Sequence, residues 1–188
     1  AKHYHGDQMR KSGEPFYTHP LEVAYKISDY NLKTDVIVAS ILHDIIEDTE
    51  VTAGMIVDHF GWRIAEMVDM LTRDRPDGTK LSVEQILNNA YHKQYKEVLL
   101  VKVIDRLHNI ESMNNLSHAK KIKNSYEAIR FFLPITTLFN NIDLEIYFAC
   151  LAMHILSSED DKFLYALEKK DLVSFLDKKS GLSHIPLQ

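Results

Sequence analysis

Apolar residues recur along the chain at helical spacing, and no alternating run long enough for a strand interrupts them. The pattern predicts helices over Pro20–Asp29, about Thr34–Ile46, Met55–Phe60 and Trp62–Leu71, and from Ser82 to about His92. Further helices are predicted over Lys96–Asn109, Ala119–Phe132, Ile142–Leu156 and Asp160–Lys178. Ala1–Met9 reads as the end of a helix, stopped by the turn-forming Lys11-Ser12-Gly13-Glu14-Pro15. Pro20 suits a first helical position, with Leu21, Ala24 and Ile27 facing inward. Thr34 is an N-cap candidate with Asp35 in the first turn, and Ser82-Val83-Glu84-Gln85 matches a capping box. Gly61 separates two short helices, Arg73 to Lys80 is a charged, turn-rich loop, and Ser180 to Gln188 has no periodicity. With no repeat, low-complexity segment or domain boundary in view, the expectation is an all-α helical bundle forming one domain over residues 1–188.

Composition narrows the classes. Of 188 residues 45% are hydrophobic, enough for a core, while 6 glycines and 5 prolines leave long segments free to be helical. A net charge of −5 argues against a protein that coats nucleic acid, so an anionic substrate would need a local basic cluster. The single Cys150 excludes an internal disulfide and a cysteine zinc site, and its apolar helical surroundings predict an inert core thiol. No apolar stretch reaches about 18 residues and no signal-peptide core is present, so the expected setting is cytoplasmic, with no membrane partner.

The chemistry collects at one helix end. An apolar run from Val36 to Leu42, with only Ser40 polar, leads into His43-Asp44-Ile45-Ile46-Glu47-Asp48. On a continuous helix His43 would lie over Glu47, and Asp44 over Asp48. An imidazole beside a carboxylate suits a divalent metal, and two further carboxylates one turn on suit proton handling. A bare His-Asp pair is more often a solvated helix end, so other residues must contribute. Asp105 follows a run from Val98 in which Lys102 alone is polar, so its carboxylate should be shielded and in need of a cation. Arg106 is one candidate for that cation; a metal shared with His43 and Asp44 is another. His19, rigidly placed before Pro20, completes the order His19, His43-Asp44, Asp105. Arg10 and Lys11, a fixed fork and a flexible cation on a Gly-Pro loop, suit base stacking and phosphate binding.

That order resembles the HD phosphohydrolase superfamily. The stretches His5-x-x-Gln8-x-Arg10-Lys11-Ser12-Gly13-Glu14-Pro15-Phe16-x-x-His19-Pro20, Leu42-His43-Asp44-x-x-Glu47-Asp48-Thr49 and Asp105-Arg106-Leu107-His108-Asn109-Ile110 resemble the hydrolase domain of the RelA/SpoT family, over about residues 3–135. The resemblance implies metal-dependent hydrolysis of the 3′-pyrophosphate of the alarmones ppGpp and pppGpp, yielding GDP or GTP and pyrophosphate. It implies metal binding, usually of Mn2+, by His19, His43, Asp44 and Asp105, and water activation by Glu47 and Asp48. It also implies contacts to the nucleotide from Arg10, Lys11, Ser12 and Asn109. Departures stand at Asp7, Phe16 and Glu111-Ser112, the last near the expected nucleotide pocket.

The residues after Leu133 carry no α/β pattern, so the expected protein is a small stand-alone alarmone hydrolase, with homo-oligomerisation left open. An alternative is an HD phosphohydrolase acting on another phosphorylated nucleotide such as NADPH. A non-catalytic nucleotide-binding module is a further alternative, disfavoured because the six metal and proton-handling positions are all present. His108 is expected to support the site without ligating. Tyr126 with Arg130 is read as a surface pair, and Phe131, Phe132, Phe139, Tyr147 and Phe148 as core.

Overall fold

The computed structural model describes residues 1–30, 32–75 and 78–159. The helix expected over Asp160–Lys178 and the tail after it lie outside the described residues. Among those described the regular structure is helical, with isolated bridges at Met9–Pro15 and Asp74–Lys80 closing two loops. No helix among them is long and apolar enough to cross a membrane. The chain divides into two compact units, Ala1–Ser112 and Met113–Gln188.

The first unit contains α1 (Lys2–His5), α2 (Thr18–Ser28), α3 (Thr34–Ile41), α4 (Ile45–Asp48), α5 (Ala53–Phe60), α6 (Trp62–Leu71), α7 (Val83–His92) and α8 (Lys96–Glu111). Helix α8 is the axis, packing against α2, α3, α6 and α7. Its sequence explains that position. Val98, Leu99, Leu100, Val101, Val103 and Ile104 are all buried, and a helix apolar on every side is stable only when surrounded. Each such side chain contributes roughly 1.5–3 kcal/mol by leaving water. On α2 the buried stripe is Val23, Ala24 and Ile27, whereas Leu21, expected inward, is 47% exposed. The helix begins two residues earlier than Pro20 suggests, which makes His19 and Pro20 its buried first turn and rotates Leu21 outward. Arg63 on α6 reaches both Asp35 at 3.3 Å and Glu97 at 3.5 Å, linking three helices at the surface.

Helix termini follow the punctuation in the sequence. Both reciprocal bonds of the Ser82–Gln85 capping box are present. Gly61 joins α5 to α6 at φ 85° and ψ 167°, a conformation that L side chains rarely adopt. Helix α1 is shorter than expected, ending at Gly6 with φ 49°. The expected Thr34–Ile46 helix is broken at Leu42–Asp44, and that break positions the chemistry described below.

In the second unit, a short 3-10 turn at Met113–Asn115 precedes α9 (His118–Glu127), a π-turn at Ala128–Phe132, α10 (Leu133–Thr136) and α11 (Ile142–Glu159). Helix α11 buries Leu144, Phe148, Ala152 and Leu156, one residue per turn. Cys150 lies off that stripe and is exposed, correcting the expectation of a core thiol. Tyr147 is likewise exposed, Phe131 and Phe139 are half-buried, and Phe132 and Phe148 are core. Arg130 donates to the Tyr126 hydroxyl at 3.1 Å, the surface pair the spacing predicts.

The backbone at Gly61 generates a direct test. Nothing lies within 4 Å of a Cβ added there, so Gly61→Ala isolates conformational strain. It should lower unfolding free energy by about 1–3 kcal/mol in urea titration, with no loss of metal binding.

Candidate metal and hydrolase site

The break after α3 sets the geometry. In an unbroken helix the Ser40 carbonyl would accept from the Asp44 N–H; here it accepts from His43 Nδ1 at 2.7 Å. The Ser40 hydroxyl donates back to Ile37 O at 2.7 Å, a contact that bends helices. His43 is thereby turned fully inward, with 0% exposure. Its proton at Nδ1 is committed to that carbonyl, which leaves Nε2 as the nitrogen able to ligate. That Nε2 is buried with no hydrogen-bond partner, although Asp44 Oδ2 lies 3.0 Å away.

His19 is fixed in the same manner from α2. Its Nδ1 lies 2.8 Å from His108 Nδ1. Burial, then the charges of His19 and Arg10, push the His108 pKa down to about 4, so His108 is neutral and accepts. His19 Nε2 then faces Asp105 Oδ1 at 3.0 Å and Asp44 Oδ2 at 3.6 Å, while His43 Nε2 is 3.7 Å from Asp105 Oδ1. Two imidazole Nε2 atoms and two carboxylate oxygens face one another there. Four acceptors so placed repel one another unless a proton or cation stands among them.

The donor set fits a divalent ion. Metal bonds of about 2.1 Å place neighbouring ligands about 3.0–3.4 Å apart, close to the observed separations. His19, His43 and Asp105 offer ligand atoms all within 4.8 Å of one another, with Asp44 adjoining through Oδ2. Each histidine donates its other nitrogen to a fixed acceptor, the usual support for a ligating imidazole. With protons in place of a metal, burial opposes charge on His43. Asp44 and Asp105 overcome that and raise its pKa to about 10. Burial likewise opposes ionisation of both aspartates. His43 nevertheless keeps Asp44 below its ordinary value, and Lys102 with the two histidines holds Asp105 well below.

Asp105 sits on α8 with three anchors. Oδ1 accepts from Asn109 Nδ2 at 2.7 Å and faces His19, while Oδ2 pairs with Lys102 Nζ at 3.6 Å. Among the side chains its cationic partner is thus Lys102, one turn back, where the sequence offers Arg106 or a shared metal. Lys102 is the residue that sequence reasoning passed over; its signal was a lone polar position in the most apolar run of the chain.

Around this centre α4 presents Glu47 and Asp48. Glu47 accepts a short hydrogen bond from the Arg73 backbone N–H, which ties α4 to the loop after α6. Burial raises the Glu47 pKa, opposed by that N–H and by Lys102. Part of Asp48 faces solvent, yet lost hydration and the charges of Asp44 and Glu47 push its pKa up to about 6. Gln8 donates to Asp48 O at 2.7 Å and meets His5 Nδ1 at 3.0 Å; His5 in turn stacks on Phe16 with centroids 4.8 Å apart.

The basic loop adjoins α8. Arg10 N donates to Glu14 O and Gly13 N to Arg10 O, closing the turn, and Gly13 has φ 91°. The Arg10 guanidinium reaches Asn109 Oδ1 at 2.9 Å, Ser112 Oγ at 3.3 Å and His108 Nδ1 at 3.5 Å. Ser12 Oγ is buried without a hydrogen-bond partner, whereas Lys11 is exposed and not drawn into the cluster. Glu111 pairs with Lys26 of α2 at 3.1 Å.

Protonation of the cluster makes its metal affinity pH-dependent. His43, raised to about 10, carries a proton at neutral pH that an incoming ion must displace. Calorimetry with Mn2+ in buffers of differing ionisation heat should show about one proton released per ion, and affinity rising up to about tenfold per pH unit below pH 10. Absence of proton release would mean that His43 is neutral. In metal-free protein the raised pKa stabilises the fold fully below about pH 6.5, the unfolded value, and this contribution is lost as pH climbs through about 10.

Comparison with known proteins agrees with this geometry. A family model described as HD domain matches residues 1–136. The probable guanosine-3′,5′-bis(diphosphate) 3′-pyrophosphohydrolase of Mycoplasma pneumoniae is 30% identical over 171 residues, covering 85% of this chain and 23% of that protein. The guanosine-3′,5′-bis(diphosphate) 3′-pyrophosphohydrolase of Aquifex aeolicus is 35% identical over 141 residues, covering 72% of this chain and 20% of that protein. The chain therefore spans about a fifth to a quarter of the curated relatives it matches. Among solved structures, a metazoan ortholog of SpoT that hydrolyses ppGpp superposes with TM-score 0.65 at 19% identity, over 81% of this chain and 89% of that one, which is a likeness of fold. A protein from Listeria monocytogenes EGD-e superposes with TM-score 0.53 at 26% identity, over 76% of this chain and 98% of that one. The family match runs through the α2 histidine, the His-Asp break and the α8 aspartate alike, and the chain belongs to the HD-domain family.

Proposed function

We propose that this domain hydrolyses the 3′-pyrophosphate of ppGpp and pppGpp, giving GDP or GTP and pyrophosphate. The proposed cofactor is one Mn2+ ion held by His19, His43, Asp44 and Asp105, and the proposed setting is the cytoplasm. The observation that carries the reading is the convergence of two imidazole Nε2 atoms and two carboxylate oxygens in a buried cluster. The substrate class is supported by the names of the relatives and by the polar edge formed by Arg10, Ser12 and Asn109 beside that cluster. When bound, a divalent ion supplies Lewis acidity toward a phosphoryl oxygen and makes water a better nucleophile.

The protein groups do the rest. Asp48, with its pKa near 6, can take a proton from water at neutral pH and return it nearby. Glu47 orients the same space while bound to Arg73 N–H, so it is the more rigid of the two. Water adds to the phosphorus, the bond to the ribose 3′ oxygen breaks, and that oxygen collects a proton. Arg10, able to present a planar fork to guanine, must exchange its bonds to Asn109 and Ser112 for bonds to the nucleotide.

Pyrophosphate release from ppGpp by the chelated protein should be restored by Mn2+. A metal-loaded protein that leaves ppGpp intact would direct the search to other phosphorylated nucleotides. His43→Ala and Asp105→Ala should lose metal binding and turnover together. Glu47→Gln should keep the metal and lose about 10²–10⁴-fold in rate, and full activity in that variant would remove Glu47 from proton handling. The acid limb of kcat/KM should fall near pH 6, because Asp48 accepts a proton only above that value.

A further inference from the structure

Lys102 is a cation without an adequate structural reason for its position. Its side chain is 14% exposed on a helix whose apolar residues are buried, and an ammonium so shielded loses much of its hydration. A buried lysine ordinarily recovers that cost through close hydrogen bonds. Lys102 makes one ion pair, to Asp105 Oδ2 at 3.6 Å, and no hydrogen bond among the described residues. Lys26 and Lys80 close on their partners, Glu111 at 3.1 Å and Asp74 at 2.7 Å, while the exposed Lys123 stands 3.9 Å from Glu127. Nor does Asp105 depend on Lys102 for its orientation, since Asn109 holds Oδ1 at 2.7 Å and His19 faces the same oxygen at 3.0 Å.

What surrounds the ammonium indicates what it awaits. Asp44, Glu47, Asp48 and Asp105 bring four carboxylates to one end of the unit. A divalent ion offsets two of those charges, and a pyrophosphoryl group arriving beside it restores the excess of negative charge. A second fixed cation on the protein side is therefore required for such a group to be held. Lys102 opposes the rise in the Glu47 pKa and is the strongest of the charges that hold Asp105 down, so its field covers both the proposed ligand and the proton-handling pair. Three N–H donors with no committed acceptor suit the oxygens of a phosphoryl group.

We propose that Lys102 is a substrate-binding residue whose ammonium takes a phosphoryl oxygen of the 3′-pyrophosphate and holds the leaving pyrophosphate. This assignment rests on the hydrolase reading above for the identity of the nucleotide, though not for the phosphoryl chemistry. A role confined to supporting Asp105 makes the opposite prediction about the metal. Removing a support weakens metal binding. Removing a neighbouring cation relieves repulsion and leaves metal binding equal or tighter.

The test is calorimetric binding of inorganic pyrophosphate to the Mn2+-loaded protein, with Mn2+ affinity measured separately, in wild type, Lys102→Met and Lys102→Arg. Lys102→Met should weaken pyrophosphate binding by about 10- to 100-fold, the range for a hydrogen bond to a charged group, with Mn2+ affinity undiminished. Lys102→Arg should retain most of the pyrophosphate affinity, because the charge and donors remain. Unchanged pyrophosphate affinity in Lys102→Met overturns the proposal, as does a parallel fall in Mn2+ affinity. Turnover separates the two readings. If wild type binds pyrophosphate through Lys102 yet leaves ppGpp intact, the substrate reading fails and the phosphoryl site stands. If wild type hydrolyses ppGpp and Lys102→Met does so with unchanged KM and unchanged inhibition by pyrophosphate, the Lys102 assignment alone fails.

Discussion

The crowding of two imidazoles and two carboxylates around one point is the constraint on which the first unit turns. Nε2 of His19 and of His43 each lies 3.0–3.7 Å from Asp44 Oδ2 and Asp105 Oδ1, and three of these four groups are prevented from turning away. The Ser40 carbonyl holds one imidazole, His108 holds the other, and Asn109 holds Asp105. Such an arrangement is costly in a low-dielectric interior without a positive charge at its centre. The packing of α8 among α2, α3, α6 and α7 supplies the rigidity that keeps the groups together regardless. Stability is thus given up locally for a preorganised cation site and recovered from the apolar core around it.

The same helix joins the centre to its surroundings. Along α8, Lys102, Asp105, Asn109 and Ser112 follow at intervals of three or four and share a face. The Arg10 guanidinium contacts Asn109 and Ser112, and Asn109 contacts Asp105. A continuous chain of hydrogen bonds therefore runs from the basic loop to the proposed metal ligand. One amide, that of Asn109, thus bonds both the basic loop through Oδ1 and Asp105 through Nδ2. Glu47 makes a comparable link, its bond to Arg73 N–H tying α4 to the loop after α6.

Much of this was legible in the chain itself. The apolar run through α8, the capping box at Ser82, the turn at Gly61 and the order of His19, His43-Asp44 and Asp105 are local patterns that burial and hydrogen bonding translate directly into helices and buried polar positions. Periodicity misled where tertiary packing overrode it. Leu21, at helical spacing from Ala24, and Cys150, in an apolar run, both face outward, because helix phase depends on the neighbouring helices that each face meets, which no local window contains.

The sequence by itself determined the helical class and the residue types able to bind a divalent ion, because both depend on composition and spacing along one chain. The tertiary structure decided how those residues meet. The break at Leu42–Asp44 replaced the expected stacking of His43 over Glu47 with an inward His43 held at Ser40 O. The contacts of Arg10 with Asn109, of His108 with His19 and of Glu47 with Arg73 likewise join residues far apart in the chain. The approach of Lys102 to Asp105 spans only one helical turn, yet what gives it meaning is the set of carboxylates brought around it from the break after α3 and from α4. Distances of this kind are fixed by how helices pack, and helix packing depends on every buried side chain at once.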